Sequence, residues 1–321
     1  MRANDGYYRG RPAIRDLVFT AYPTLRQAWA SLLRGEIEVV SDISADALPF
    51  LDDRKVQTDS FPRRYAYVLA FNSTRPQLRS PAVRQALNFA VNRDAVIRTA
   101  LRGRGRAATT PVWPDHWAYD KSAPGYSFDP PRASAALAAA GFNGTPGRGR
   151  LRFTCLVPEG HVIFERMALM LQRDLFDVGV DLDFESVALS NFDTRLRAGD
   201  FDAVLVDLLS GPSLSRVYSF WRSPGPAFTG LNVFGYRNAQ ADALLDQLRY
   251  ATDDAATRAA TGQLQRVMTD DPPGIFIAWS ERARAISRRI EVPAAPGRDP
   301  FQSLWQWRLL NEATSHSAVH E

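Results

Sequence analysis

Apolar and polar residues change their spacing abruptly between residues 65 and 103. Tyr65, Tyr67, Val68, Leu69 and Phe71 are aromatic or branched and fall close together, which predicts a largely buried strand. The polar run Asn72-Ser73-Thr74-Arg75-Pro76 ends that strand in a loop. Ser80-Pro81 predicts an N-cap followed by proline at the first helical position, and Val83, Ala86, Leu87, Ala90 and Val91 recur at helical spacing. Asn92 predicts a cap for a second helix, with Asp94 in the first turn where negative charge suits the dipole. Val96, Ile97, Ala100 and Leu101 are its buried side and Gly103 its stop.

The same reading extends along the chain. Residues 24–33 are helical, and 107–128 form a long loop holding Trp113, Trp117, Tyr119, Tyr126 and Phe128. Asp129-Pro130 starts an alanine-rich helix ending at Gly141, and 143–150 are a glycine-rich turn. Residues 151–157 and 180–187 read as strands around a helix at 162–178. Ile163, Phe164, Met167, Leu171, Leu175 and Val178 line one face of that helix, so the three form a βαβ unit in a mixed or parallel sheet. Ser190 predicts the cap of a short helix running to Arg197. A strand follows at 201–206, then helices at 242–250 and 254–269 and an apolar strand at 275–279. Residues 311–321 are polar and expected to be disordered. The class is α/β.

Composition narrows the function. At 321 residues, 45% hydrophobic and 23% charged, the chain can bury one large core or two smaller ones. The net charge of +4 raises an acidic partner as a possibility. However, all basic residues except Lys55 and Lys121 are arginine, and the short basic runs at 102–106, 148–152 and 282–289 are well separated. That pattern is a solvated arginine-rich surface, so no nucleic-acid role is expected. Cys155, the single cysteine, sits in a strand-like run as a small buried residue, which excludes an intrachain disulfide and a cysteine zinc cluster. No apolar window of about 18 residues predicts a membrane span, and MRANDGYYRGRP has no apolar signal core.

Catalytic patterns are missing too. No G-x-S-x-G, G-x-x-x-x-G-K-[ST] or H-E-x-x-H motif occurs, and His116, His161, His316 and His320 are scattered. Asp181, Asp183 and Glu185 alternate on one strand face, which is either a cation site or, the preferred reading, a charged sheet edge. We expect no enzyme, no cofactor and no bound metal.

Several stretches carry a resemblance. AFN-x-x-x-P followed by VRQALNFAVNRDAVI, the segment ANDGYYRGRPAIRDLVFTAYP, and GVDLDFESVALSNFDTRLRAGDFDAVLVD are similar to the extracellular solute-binding proteins of family 5. These are the oligopeptide, dipeptide and nickel binders of ABC importers. The resemblance implies a type II periplasmic-binding-protein-like fold, with two lobes of mixed sheets flanked by helices and the first lobe incomplete. It implies a partial first lobe at 1–69, a ligand-binding lobe at 70–282, a return to the first lobe at 283–310 and a tail at 311–321. Because the first motif begins at Asn4, the chain reads as the C-terminal portion of a family member.

The function the resemblance implies is capture of a peptide or other small solute in an inter-lobe cleft. Delivery to an ABC permease of the inner membrane follows, from a periplasmic or cell-surface location. A non-transport sensing module, or a fragment reusing the lobe, is the alternative. Trp113, Trp221, Tyr236 and Trp279 could wall a cleft or serve as ordinary core. The resemblance puts Asn72, a ligand-binding candidate, and Arg84 at the lobe crossing, with Arg84 either binding or structural. It also puts Asp207 and Ser210 where peptide-binding relatives use an aspartate to pair the ligand's ammonium. Aligning Pro212 on the family proline places Leu208 on that aspartate and Asp207 one residue off.

Overall fold

A computed structural model of the chain describes residues 1–43, 55–144, 149–211, 213–225, 230–293 and 299–310, without the side chains of Asp42 and Pro300. The expected tail at 311–321 and most of the glycine-rich turn lie outside the described residues. Helix α1 (Leu25–Leu33) starts at Thr24, whose hydroxyl accepts from the Gln27 amide. Strands β1 (Val39–Ile43) and β2 (Val56–Phe71) follow. Pro81 opens α2 (Pro81–Phe89), and Asn92 Oδ1 caps α3 (Arg93–Thr99) by accepting from Ala95 N at 2.9 Å. After β3 (Gly105–Ala107), the carboxylate of Asp129 caps α4 (Pro130–Ala139). Then come β4 (Leu151–Pro158), α5 (Val162–Asp177), β5 (Val180–Val187), α6 (Leu189–Ala198) and β6 (Ala203–Leu209). The rest is α7 (Ser215–Trp221), α8 (Ala239–Tyr250), α9 (Asp254–Asp270), β7 (Gly274–Ser287), β8 (Ile290–Glu291) and β9 (Arg308–Leu309).

The chain divides into two compact units, one of residues 64–280 and one of 1–63 with 281–321. Strands β2 and β7 each contribute to both.

In the 64–280 unit the strand order is β7-β2-β6-β4-β5, with β3 on the other side of β7. β4 runs parallel to both β5 and β6, while β2 is antiparallel to β6 and β3 to β7, so the sheet is mixed. Strand alternation sends successive side chains to opposite faces. Tyr67, Leu69 and Phe71 join the core under α2 to α5, where Leu87, Val96, Leu137 and Leu171 meet them. Ala66, Val68 and Ala70 join the opposite core with Phe192 of α6, Trp221 of α7, Leu245 of α8 and Leu264 of α9. Gly274 begins β7 because the backbones approach too closely for a side chain: an added Cβ would lie 2.6 Å from Leu69 O.

Strand β5 ends the sheet of this unit, and arginines hold two of its acids, Asp181 and Glu185. Asp181 meets Arg150 Nε at 3.0 Å, and Glu185 meets Arg195, which also pairs with Asp200 at 2.9 Å. Three local expectations change. Ser190 lies inside α6, whose cap position is Ala188, and the helix stops at left-handed Gly199. Ser80 stands at its cap position without a side-chain bond, leaving proline's fixed φ to start the helix. The strand expected at 275–279 runs on without a break to Ser287.

In the other unit β1 lies antiparallel to the end of β7, with Val39 opposite Ile286. Leu32, Val40, Ile43, Val56, Ala283 and Ala285 form a small core. Arg284 is sandwiched between Phe61 and Phe301, 4.1 and 4.0 Å from the ring centres, and pairs with Asp299. Burial pushes the nearby Asp59 carboxyl up, while hydrogen bonds from Arg284 and the Phe301 amide outweigh desolvation and hold Asp299 down.

Two bonds from Arg34, at 2.6 and 2.9 Å, hold the Glu36 carboxyl down at about 2. A depressed carboxylate stabilises the fold above its unfolded pKa and loses that contribution as pH falls through its folded one. Glu36→Gln is therefore expected to flatten the fall in melting temperature between about pH 4.5 and 2. An unchanged acid slope in thermal melts would show that the pair contributes nothing.

Candidate functional site

Strands β4, β5 and β6 are parallel: β4 and β5 end level at Pro158 and Val187, while β6, with Ala203 opposite Cys155, runs on past them to Leu209. Helix α5 leaves β4 over the first core, whereas Phe192 and Trp221, on the helices after β5 and β6, belong to the second. Connections that depart to opposite faces open a crevice at the carboxyl ends of parallel strands. Because β2 is antiparallel to β6, with Tyr65 opposite Leu209, its residue 64 reaches the same edge.

Several expected and newly found groups meet there. Trp113 and Trp279 pack edge to face, ring centres 5.1 Å apart at 85°. The Trp113 amide donates to Ser210 Oγ at 3.2 Å, and the Ser210 amide donates to Arg64 O at 2.8 Å. The Arg106 guanidinium lies 5.1 Å from the Trp113 ring centre and 3.1 Å from Asp115. His116 lies close by, its pKa lowered first by burial and then by the charge of Arg64. Beneath this corner a cavity of about 10 Å³, room for roughly one water, is lined by Ala66, Leu208, Ser210, Trp221 and Phe276 among others.

The other expected residues are placed differently. Trp221 is 1% exposed, stacked on Phe234 at 5.2 Å with its edge contacts at Tyr236 and Phe276, so only the small cavity meets it. Tyr236 is equally buried, its hydroxyl without a hydrogen-bond partner among the described residues, and burial raises its pKa. Asn72 is saturated: its amide donates to Gly199 O at 3.2 Å and Phe201 O at 2.9 Å, and its carbonyl accepts from Thr74 N and Oγ1. Asp207 is exposed and sits opposite Tyr67 in the ladder.

Arg84 is buried and donates to Pro272 O, Leu78 O and Arg79 O at 2.8, 2.6 and 2.7 Å, besides contacting the Asp271 carboxylate. Each of these partners belongs to the protein's own frame, which makes Arg84 a clamp on the start of α2. Sequence reasoning did not find Arg64 or Arg106. The signal available for Arg64 was its even spacing from Ala66, Val68 and Ala70.

At the corner Trp113, Trp279 and Ser210 are themselves buried, and the groups exposed beside them are the guanidiniums of Arg64 and Arg106. Among the described residues, no group of three or more His, Cys, Asp or Glu side chains could hold a metal ion, and no helix is long and apolar enough to cross a membrane. Cys155 is buried, and burial pushes its thiol well up.

Comparison with known proteins places this geometry. The chain is 26% identical over 326 residues to the oligopeptide-binding protein AppA of Bacillus subtilis, covering 96% of this chain and 59% of AppA. It is 27% identical over 296 residues to the dipeptide-binding protein of Escherichia coli, covering 90% and 54%. The chain thus spans little more than half the length of these relatives. The structure of the ABC transporter substrate-binding protein CtaP from Listeria monocytogenes matches with a TM-score of 0.85 at 20% identity, over 97% of this chain and 63% of CtaP. The fold is therefore that of a periplasmic binding protein. The family model for the bacterial extracellular solute-binding proteins, family 5 (middle), matches residues 1–228, and the chain belongs to that family.

Proposed function

We propose that this chain is the solute-binding part of an ABC importer, taking a peptide or peptide-like solute at the carboxyl edge of β4, β5 and β6 and passing it to a membrane permease. The observation that carries this is the Trp113–Trp279 pair joined to Ser210, at the place where an open α/β sheet presents its crevice. An apolar wall with a few placed polar groups is what a small-molecule site requires. The family description and the relatives' names, oligopeptide-binding and dipeptide-binding, supply the solute class. Trp113, Ser210 and Trp279 are the proposed floor of the site. Trp221 backs the floor through the small cavity and Tyr236 packs on Trp221, whereas Asn72 sits at the other end of β2 beside Asp202 and Asp207 lies on the opposite face of the sheet.

The reading includes no chemistry on the solute and a location outside the cytoplasmic membrane. Solute binding favours one conformer over another, which the permease then recognises. Titration calorimetry with pools of di- and oligopeptides is expected to give saturable heat, and Trp279→Phe is expected to weaken it. Ester and amide substrates should show no turnover. A chain that gives no heat with any peptide pool would sink this reading.

A further inference from the structure

The carboxyl-edge corner is charged asymmetrically, and strand parity decides which groups face it. Along β2, Ala66, Val68 and Ala70 enter the core that holds Trp113 and Trp279, so Arg64 lies on that same face. On β6, Val204 belongs to that core and Leu205 to the opposite one. Leu208, which packs against the tryptophan core, is therefore on the corner's face, and Asp207 is on the far face of the sheet. What faces the tryptophan pair is cationic. Arg106 lies over Trp113, and the exposed Arg64 is near enough for its charge to help push down His116. Asp115 neutralises Arg106 in part through its 3.1 Å contact, and both side chains of that pair are about half exposed.

Resting on the solute-binding reading above, we propose that Arg64 and Arg106 accept a carboxylate of the solute beside the tryptophan pair. The solute class is an organic anion whose amino end is absent or blocked. A guanidinium beside an aromatic wall suits a planar carboxylate, with charge-assisted bonds about twice as strong as neutral ones. A solute ammonium at Leu208 would lose water and gain no acceptor from that side chain. The segment that could have supplied an acid turns it, as Asp207, to the opposite face.

Three probes against the full chain test this by calorimetry: N-acetyl-dialanine, which keeps only the carboxylate; dialanine amide, which keeps only the ammonium; and dialanine. N-acetyl-dialanine is expected to bind at least about tenfold more tightly than dialanine amide. Arg64→Gln and Arg106→Gln should each weaken it about tenfold without moving the melting temperature, both side chains being exposed. Leu208→Asp should reverse the order of the two blocked probes. Added salt should weaken N-acetyl-dialanine and, because it screens the repulsion between two arginines and an ammonium, should not weaken the amide. Equal or tighter binding of dialanine amide overturns the carboxylate assignment while leaving solute binding intact. No heat from any of the three overturns both.

Discussion

Arg93→Met is expected to lower the unfolding free energy by about 3–5 kcal/mol, read from the midpoint of urea unfolding. Arg93 sits inside the 64–280 unit at 5% exposure. Its Nε donates to Ala108 O at 2.9 Å and Phe276 O at 2.7 Å, and its terminal nitrogens donate to Asn88 O at 3.0 Å and Asn88 Oδ1 at 2.8 Å. These are all amide oxygens. Burial draws its pKa down to about 10, so it is still charged at neutral pH. Methionine approximates the volume of the stem but strands the oxygens of Ala108, Phe276 and Asn88 in a dry core, each costing about 1–3 kcal/mol. Set against a typical stability of about 5–15 kcal/mol, that loss is large. Arg93→Lys, which restores a charge but not the fork, should recover only part of it. A loss under about 1 kcal/mol would mean that water reaches those oxygens.

Arg84→Leu is expected to cost about 3–5 kcal/mol by a related route. Arg84 ties the start of α2 to the turn between α9 and β7, through Pro272 O and the carboxylate of Asp271. Asp271 also accepts from Asn238 Nδ2 at 2.7 Å, so the same acid fixes the cap of α8. Removing the guanidinium leaves a partly buried carboxylate with one partner fewer. Adding Asp271→Asn to Arg84→Leu should then cost less than the sum of the two single changes. A double-mutant cycle in urea would reveal this as a coupling of roughly 1–3 kcal/mol. Strict additivity would show that the two side chains do not act as a pair.

Most of the 64–280 unit was legible because its signals are local. Asn92 and Asp129 act as caps, Pro81 sets its helix, and the spacing of Phe164, Met167, Leu171 and Leu175 marks the buried side of α5. Two elements were not legible. β3 is three residues long and exists because β7 offers it a partner, as Arg106 pairs with Trp279. α7 is seven residues with no side-chain cap, held by Val217, Tyr218 and Trp221 in the core. Neither carries enough residues to display a period of its own.

The site was half legible. Aromatic side chains in a long loop and near a strand end marked Trp113 and Trp279, but only packing brings the two rings to 5.1 Å and lays Arg106 on one of them. The sequence marks Asn72 as a ligand-binding candidate, and in the structure its amide donates to the carbonyls of Gly199 and Phe201.

By itself the sequence determined the α/β class, the order of most elements and the family pattern, since capping, turn chemistry and periodicity act over a few residues. Tertiary structure decided which side of the sheet each strand-end group takes. β6 extends to Leu209 in register with Tyr65, and that register turns Leu208 toward the tryptophan pair and Asp207 away from it. It also decided that Arg84 and Arg93 are internal clamps, because a charge is stable in a core only where oxygens from distant segments converge on it.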